Sequence, residues 1–361
     1  MSDLHLIDPN FALPAVETEG MVFRDVLKTE ADIYGLYQPK TNPIYCRLPQ
    51  ELADTVSPGV SRLNRCTAGG RLRFKTDSQR IAFRVRQTGE KKASSHQTFI
   101  NTSGFDMYLW EDGRQRFWCS LIPPPDRTNG YETMTRLPDC RLREFVVNFP
   151  AYDGVLELQI GIEEGCRLEG GSRYRSEKPV VFYGSSITQG ACASRPGNSY
   201  QNILTRRLDF DYLNFGYSGN GKGEPAVAEY LASLDASAYV MDYDHNAPTV
   251  DHLAATHEPF VRILREKHPD IPILLMSKTD IPRTEKAEEF TNRRRDVIRA
   301  TYETLLAEGD RNIYFLDGQT IFAIHGGDSC TVDGTHPTDL GFMCMADAVE
   351  PFLRKMLYGG D

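Results

Sequence analysis

Hydrophobic and polar positions follow two different patterns, one on each side of about residue 170. From about Met21 to Leu168, short apolar stretches are broken by turn residues with no long helical period, which is the spacing of β structure. The predicted strands include Leu72–Thr76, Ile81–Val85, Phe105–Trp110, Arg116–Cys119, Phe145–Phe149 and Leu156–Ile160, several of them alternating apolar with polar. Turn residues separate them at Ala68–Gly70, Glu111–Gly113, Pro123–Pro125 and Asp153–Gly154. Short, regularly punctuated strands predict an antiparallel β-sandwich of jelly-roll type. The polar tract Glu169–Lys178 ends at Pro179 and is expected to be a flexible linker. Beyond it the apolar runs Val180–Tyr183, Tyr212–Phe215, Tyr239–Asp242, Ile273–Met276 and Ile313–Leu316 alternate with stretches of helical character, namely Ser199–Leu208, Pro225–Leu234, Asp251–Lys267 and Thr284–Ala307. Such alternation specifies right-handed crossovers and a doubly wound, parallel α/β sheet. The expected division is a sandwich over 1–170, a linker over 171–178 and an α/β domain over 179–361.

Composition narrows the partners. The chain has 361 residues, enough for two domains, and its 40% hydrophobic and 25% charged content is that of an ordinary globular protein. Lys plus Arg number 41 against 50 Asp plus Glu, a net charge of -9, so the basic field that a phosphate backbone or an anionic membrane requires is missing. Apolar runs such as Ile271–Met276 fall far short of the roughly 20 residues that cross a bilayer. The first twenty residues have acids where a secretory signal has a basic segment, and they lack its apolar core. A soluble, cytoplasmic protein is the expectation. The cysteines, Cys46, Cys66, Cys119, Cys140, Cys166, Cys192, Cys330 and Cys344, are scattered with no C-x-x-C pair and are expected to be reduced.

In a doubly wound sheet, ligands bind beyond the carboxyl ends of the strands, so chemistry is sought directly after each apolar run. The first run is followed by Gly184–Gly190, where a serine on a strand-to-helix turn can present its hydroxyl and turn its own N–H toward an oxyanion. A phosphate loop is the rival, but neither G-x-x-x-x-G-K-[ST] nor G-x-G-x-x-G is present; a plain small-residue turn is another. The second run opens into Asn214–Gly221, a glycine loop able to donate backbone N–H groups to an anion, or simply a loop. The third leads to Asp242–Pro248, where Asn246 offers an amide donor at the same sheet edge, or serves as a turn asparagine. After the last run comes Asp333-Gly-Thr-His336, followed by Pro337 at the start of a closing helix. An Asp three residues before a His on one loop can accept from Nδ1 and leave Nε2 free as a base. A surface Asp and a capped His would give the same text.

In chain order, the candidates Ser186, Gly219, Asn246 and Asp333 with His336 stand at four strand ends. The set resembles the SGNH hydrolases, also called GDSL esterases and lipases. Gly184–Ile187 matches the Gly-Asp-Ser-Leu block, Gly219 the second-block glycine, Asn246 the Gly-x-Asn-Asp block, and Asp333-x-x-His336 the final block. Gly104–Tyr108 resembles the Gly-x-Asp-Leu-Tyr signature of a β-sandwich found before one subfamily. The two matches span about 23–357. Ser185 stands in place of the usual Asp, and Asp244-His245-Asn246 in place of Gly-x-Asn.

The resemblance implies a flavodoxin-like sheet, a Ser186 nucleophile, a His336 base, an Asp333 partner and an oxyanion hole formed by Ser186, Gly219 and Asn246. It also implies hydrolysis of a short O-acyl ester, acetyl most simply, on a carbohydrate. The same acyl-enzyme could instead serve an acyltransferase, and a non-catalytic carbohydrate-binding protein is a third reading. Arg195, Tyr217, Lys222 and Glu224 are candidate substrate contacts, and Trp110 and Trp118 could stack on sugars or pack the sandwich. No metal or cofactor is expected: His252 and His257 are not an i, i+4 pair, and His5, His96, His268 and His325 form no evident cluster. Arg293–Arg295, set among acids, reads as a solvated helix face.

Overall fold

The computed structural model describes residues 15–89, 95–124, 129–323 and 327–359. His5 and His325 lie outside them. Two antiparallel sheets share one core in the N-terminal half. Its elements, in chain order, are β1 (Met21–Asp25), β2 (Asp32–Tyr34), α1 (Gln50–Val56), α2 (Pro58–Asn64), β3 (Arg71–Thr76), β4 (Arg80–Gln87), α3 (Phe99–Ser103), β5 (Phe105–Glu111), β6 (Arg114–Leu121), β7 (Gly130–Arg136), β8 (Arg143–Asn148), β9 (Val155–Glu163) and β10 (Leu168–Gly170). One sheet runs β1-β9-β4-β7; the other runs β10-β3-β8-β5-β6, with β2 beside β10 on the edge of β3. Phe74, Phe145 and Val147 of the second sheet meet Phe83, Val85 and Ile160 of the first in the shared core. Both predicted tryptophans are occupied in the fold: the Trp118 indole N–H donates to Thr135 Oγ1 at 2.9 Å, and the Arg73 guanidinium lies 5.0 Å from the Trp110 ring.

The second half alternates as expected. It comprises β11 (Ser176–Gly184), α4 (Ser186–Gln189), α5 (Tyr200–Leu208), β12 (Phe210–Gly216), α6 (Pro225–Ala232), β13 (Ala238–Asp242), α7 (Val250–Lys267), β14 (Ile273–Met276), α8 (Glu285–Ala307), β15 (Ile313–Leu316) and α9 (Asp339–Tyr358). All pairings in this sheet are parallel, in the order β12-β11-β13-β14-β15. Numbered within the sheet, that order is 2-1-3-4-5, the flavodoxin arrangement, and its direction reverses at β11. The turn carrying Ser186 therefore opens at the switch point.

Two expectations need correcting. The tract Glu169–Lys178 is packed rather than flexible: Leu168–Gly170 pairs with β3, Tyr174 is buried with its hydroxyl accepting from Arg71 Nε at 3.0 Å, and β11 already begins at Ser176. The N-terminal half also contains a helical pair, α1 and α2, that the strand pattern missed. Ser57 caps α2 by accepting from the Val60 N–H, and Pro58 supplies the fixed φ of its first turn. This pair packs on the other half: Leu48, Ala53, Val60 and Leu63 share a core with Tyr183, Phe215, Tyr217 and Met241.

A buried carboxylate latches the halves together. Asp106 on β5 accepts from the Gly197 N–H at 2.8 Å, from Asn148 Nδ2 at 2.8 Å and from Arg195 Nη1 at 3.2 Å, while Arg195 also donates to the Tyr108 hydroxyl at 2.5 Å. The Asp and Tyr of the Gly104–Tyr108 motif thus grip the loop between α4 and α5. Burial pushes the Asp106 carboxyl up, and the Asn148 amide, the Arg195 cation and the Gly197 N–H pull it back. Asp106→Ala leaves Arg195 facing the interface without its carboxylate. The expected loss is about 3–5 kcal/mol of stability, seen as a lower urea midpoint.

Candidate active site

Three residues form a relay. Ser186 Oγ lies 3.0 Å from His336 Nε2, and His336 Nδ1 lies 2.7 Å from Asp333 Oδ2. Asp333 Oδ1 also accepts from the backbone N–H groups of Thr335 and His336 at 3.0 and 2.8 Å, so the carboxylate is fixed by its own loop. Partial burial pushes this carboxyl up, but the N–H of His336, its imidazole and the N–H of Thr335 outweigh it and hold the group down at about 2. Ser186 itself is buried, whereas the side chains of His336 and Asp333 are 24% and 41% exposed, so the relay opens directly to solvent.

The turn under the serine is locally determined. Ser185 caps α4 by accepting from the Ile187 N–H at 3.2 Å, so the residue that replaces the usual Asp still satisfies a helix-end donor. Gly190 ends α4 at φ +96°, a conformation that favours glycine. Beneath it, Asp242 Oδ2 accepts from Thr188 Oγ1 at 3.0 Å and from the Tyr200 hydroxyl at 3.3 Å. The N-terminal half braces the same turn: Asn101 Nδ2 donates to the Gly190 carbonyl at 2.9 Å, and the Tyr152 hydroxyl donates to the Ser186 carbonyl at 3.3 Å. Asp339, the first residue of α9, accepts from the Ser194 N–H at 2.8 Å and from Asn198 Nδ2 at 2.8 Å, tying the loop after the serine to the helix after His336.

The three anticipated oxyanion donors do not all point outward. The Gly219 N–H, in a loop at φ +68°, donates to Asn246 Oδ1 at 3.1 Å, and Asn246 Nδ2 donates to the Tyr217 carbonyl at 2.8 Å. A second hydrogen on Nδ2 remains for another acceptor, but an anion reaches the Gly219 N–H only by displacing Asn246 Oδ1. The Asp244-His245 departure is also resolved. Asp244 is buried against Arg294 of α8, with Nε 2.6 Å from Oδ1, and accepts from the Lys278 N–H at 2.7 Å, so it anchors the loop from below. Burial, with the Lys278 and Arg294 cations nearby, holds His245 well below the usual imidazole range.

The four candidate substrate contacts fare differently. Tyr217 is buried beneath the Arg47 guanidinium, 4.4 Å from its ring centroid. Glu224 accepts from the Tyr183 hydroxyl at 2.6 Å and from the Lys222 N–H at 2.9 Å. The Lys222 carbonyl lies 2.8 Å from His252 Nε2. Arg195 belongs to the Asp106 latch. Polarity near a strand end made them candidates; their partners place Tyr217, Glu224 and Arg195 in the scaffold. Conversely, His96, which had no visible partner in sequence, stands beside the relay with its ring centroid 5.8 Å from that of His336. Only tertiary structure brings it there.

Comparison with known proteins follows this geometry. Residues 177–354 match the GDSL-like lipase/acylhydrolase family, and residues 21–168 match the N-terminus of SGNH-hydrolase-type esterases, named for GxDLY. A Bacteroides ovatus protein assigned as a GDSL-like lipase is 30% identical, with a TM-score of 0.85, over 93% of this chain and 98% of its own. The chain belongs to the GDSL-like lipase/acylhydrolase family. As such it is an ester-hydrolysing enzyme. The fold of this SGNH hydrolase also recurs in a salicylyl-acyltransferase from a tetracycline biosynthetic pathway, at 21% identity and a TM-score of 0.78 over 96% of this chain and 100% of that one. A family two carbohydrate esterase from Clostridium thermocellum, in complex with cellohexaose, shares it at 12% identity and a TM-score of 0.58, over 80% of this chain and 93% of its own. No curated protein matches the chain in sequence.

Two measurements check this geometry. Asp333→Asn removes the carboxylate that orients the imidazole, and kcat should fall by about 10⁴-fold with the fold intact by circular dichroism. The second concerns Asp242, pushed up to about 7 chiefly by burial, against the pull of the Thr188 and Tyr200 hydroxyls. Between about pH 4 and 7 the unfolded chain ionises this carboxyl while the folded one keeps its proton. Its contribution to stability therefore shrinks as pH rises through that window and is level above it. Asp242→Asn should flatten the slope, so the variant's urea midpoint gains on wild type from pH 4 to 7.

Proposed function

We propose that this enzyme is a serine esterase that removes short acyl groups, acetyl in the simplest case, from hydroxyls of a carbohydrate or glycoside. The observation that carries the reading is the continuous relay from Ser186 Oγ through His336 to Asp333 at an open sheet edge. Ser186 Oγ attacks the ester carbonyl as His336 Nε2 takes its proton, and Asp333 holds the imidazole tautomer and stabilises the imidazolium. The Ser186 N–H and the Asn246 Nδ2–H receive the developing oxyanion, with the Gly219 N–H joining once Asn246 Oδ1 gives way. His336 returns its proton to the leaving alcohol, an acyl-enzyme remains, and water activated by the same imidazole releases the acid.

Solvent exposure of His336 and Asp333 supports a short acyl chain on a bulky polar scaffold better than a long chain that must be sheltered. Among the described residues no helix is long and apolar enough to cross a membrane. Transfer to an alcohol instead of water would use the same intermediate, and the salicylyl-acyltransferase of like fold keeps that second reading in view.

Ser186→Ala should abolish hydrolysis of p-nitrophenyl acetate and of acetylated xylo-oligosaccharides without loss of fold; an unchanged rate would end the serine-esterase reading. Asn246→Ala should lower kcat by about 10²–10³-fold, the usual cost of one oxyanion donor. Product analysis with a sugar acceptor present separates hydrolysis from transfer.

A further inference from the structure

Two side chains with no part in ester hydrolysis, His96 and Cys192, stand beside the relay and close on its imidazole. His96, from the loop before α3, Cys192, from the turn after α4, and His336 bring one imidazole nitrogen, the Sγ and a second imidazole nitrogen within 4.8 Å of one another. We propose that these three side chains form an inhibitory site for a zinc-like transition-metal ion, which shuts the esterase off by taking the Nε2 lone pair of His336. The inference rests on the proposed role of His336 as the base.

The donor set suits a borderline-soft cation. Two imidazoles and a thiolate with one open position are a known zinc ligand set, and tetrahedral bonds of about 2.0–2.3 Å place the donors about 3.3–3.8 Å apart. Closing from within 4.8 Å to that spacing takes at most about 1.5 Å, and His96, being exposed, is free to supply movement. The outer contacts are in place. Asp333 holds His336 through Nδ1, so a ligand competes with Ser186 Oγ alone for its Nε2, and Ser95 Oγ lies 3.2 Å from His96 Nδ1, which leaves Nε2 of that ring facing outward for a ligand. Cys192 is fixed from below by packing with Ala68, Ala151, Tyr152 and Ala191. Its backbone sits at φ +69°, where glycine would be unstrained, so the turn keeps its thiol at a conformational cost.

The exchange balances without redox change. The cation replaces the thiol proton, which leaves to solvent, and accepts one neutral lone pair from each imidazole; water fills the fourth position. The charge of a bound cation stabilises the thiolate that replaces the thiol. With Nε2 on the metal, the Ser186 proton has no acceptor and acylation stops.

Two arms test the site. In the first, Co²⁺ is added to wild type and to Ser186→Ala. Both should develop the near-ultraviolet sulfur-to-cobalt band, and Cys192→Ser and His96→Ala should lose or weaken it. In the second, Zn²⁺ should inhibit p-nitrophenyl acetate hydrolysis reversibly, with EDTA restoring the rate. His96→Ala should keep its basal rate and need at least ~10-fold more Zn²⁺ for half inhibition. An absent cobalt band, a wild type indifferent to Zn²⁺, or equal Zn²⁺ sensitivity in His96→Ala each overturns the proposal. If ester hydrolysis itself proves absent, the cobalt arm still decides the site, because it needs no turnover.

Discussion

The arrangement hangs from one buried cation. The Arg47 guanidinium donates to the carbonyls of Gly216 at 2.5 Å, Leu63 at 2.6 Å and Asn214 at 3.2 Å, and lies against the ring of Tyr217. It has carbonyl dipoles and an aromatic face instead of a carboxylate, an acceptable environment for a guanidinium only when several acceptors converge. Two of those carbonyls belong to the end of β12, an edge strand, where Asn214 stands opposite Phe182 and Gly216 opposite Gly184 of β11. Without Arg47 they would be buried with no donor. With it, the loop that follows is aimed so that Tyr217 offers its carbonyl to Asn246 and Gly219 offers its N–H to the same side chain. The second and third elements of the site thus depend on a residue from the other half of the chain.

That dependence recasts the sandwich. Its signature Asp106 and Tyr108 hold Arg195, its Asn101 and Tyr152 hold the serine turn, and its helical pair completes the core on one face of the parallel sheet. The N-terminal half acts as the missing wall of the catalytic half, and the loop bearing His96 gives it a place at the rim of the site.

What was legible in sequence follows from range. Period-two strands, the βα alternation and the turn after each strand are local, so the two architectures, Ser186 and the Asp333-x-x-His336 pair could be read directly. The α1–α2 pair carried its own signal in Ser57-Pro58, but it was submerged in a strand-rich stretch. Partners across the chain left no local trace. Nothing beside Tyr217 announces Arg47 and nothing beside Arg195 announces Asp106, so polarity near a strand end does not separate a substrate contact from a scaffold bond. His96 forms no evident cluster in sequence for the same reason, being about 240 residues from His336. The oxyanion loop was legible as a set of donors, but the mutual bond between Gly219 and Asn246 is a matter of geometry alone.

The relay is also ordered in time. Ser186 is set at the first strand of the parallel sheet, and His336 and Asp333 arrive only after all five strands, on the loop that α9 pins back to the serine turn through Asp339. A chain emerging from its N-terminus can dock the sandwich and build the sheet while the serine is still an ordinary alcohol, its base not yet made. A copy whose loop bearing Asp333 and His336 has not docked lacks the base that the proposed mechanism requires. The long span of chain between nucleophile and base makes reactivity a certificate of completed folding.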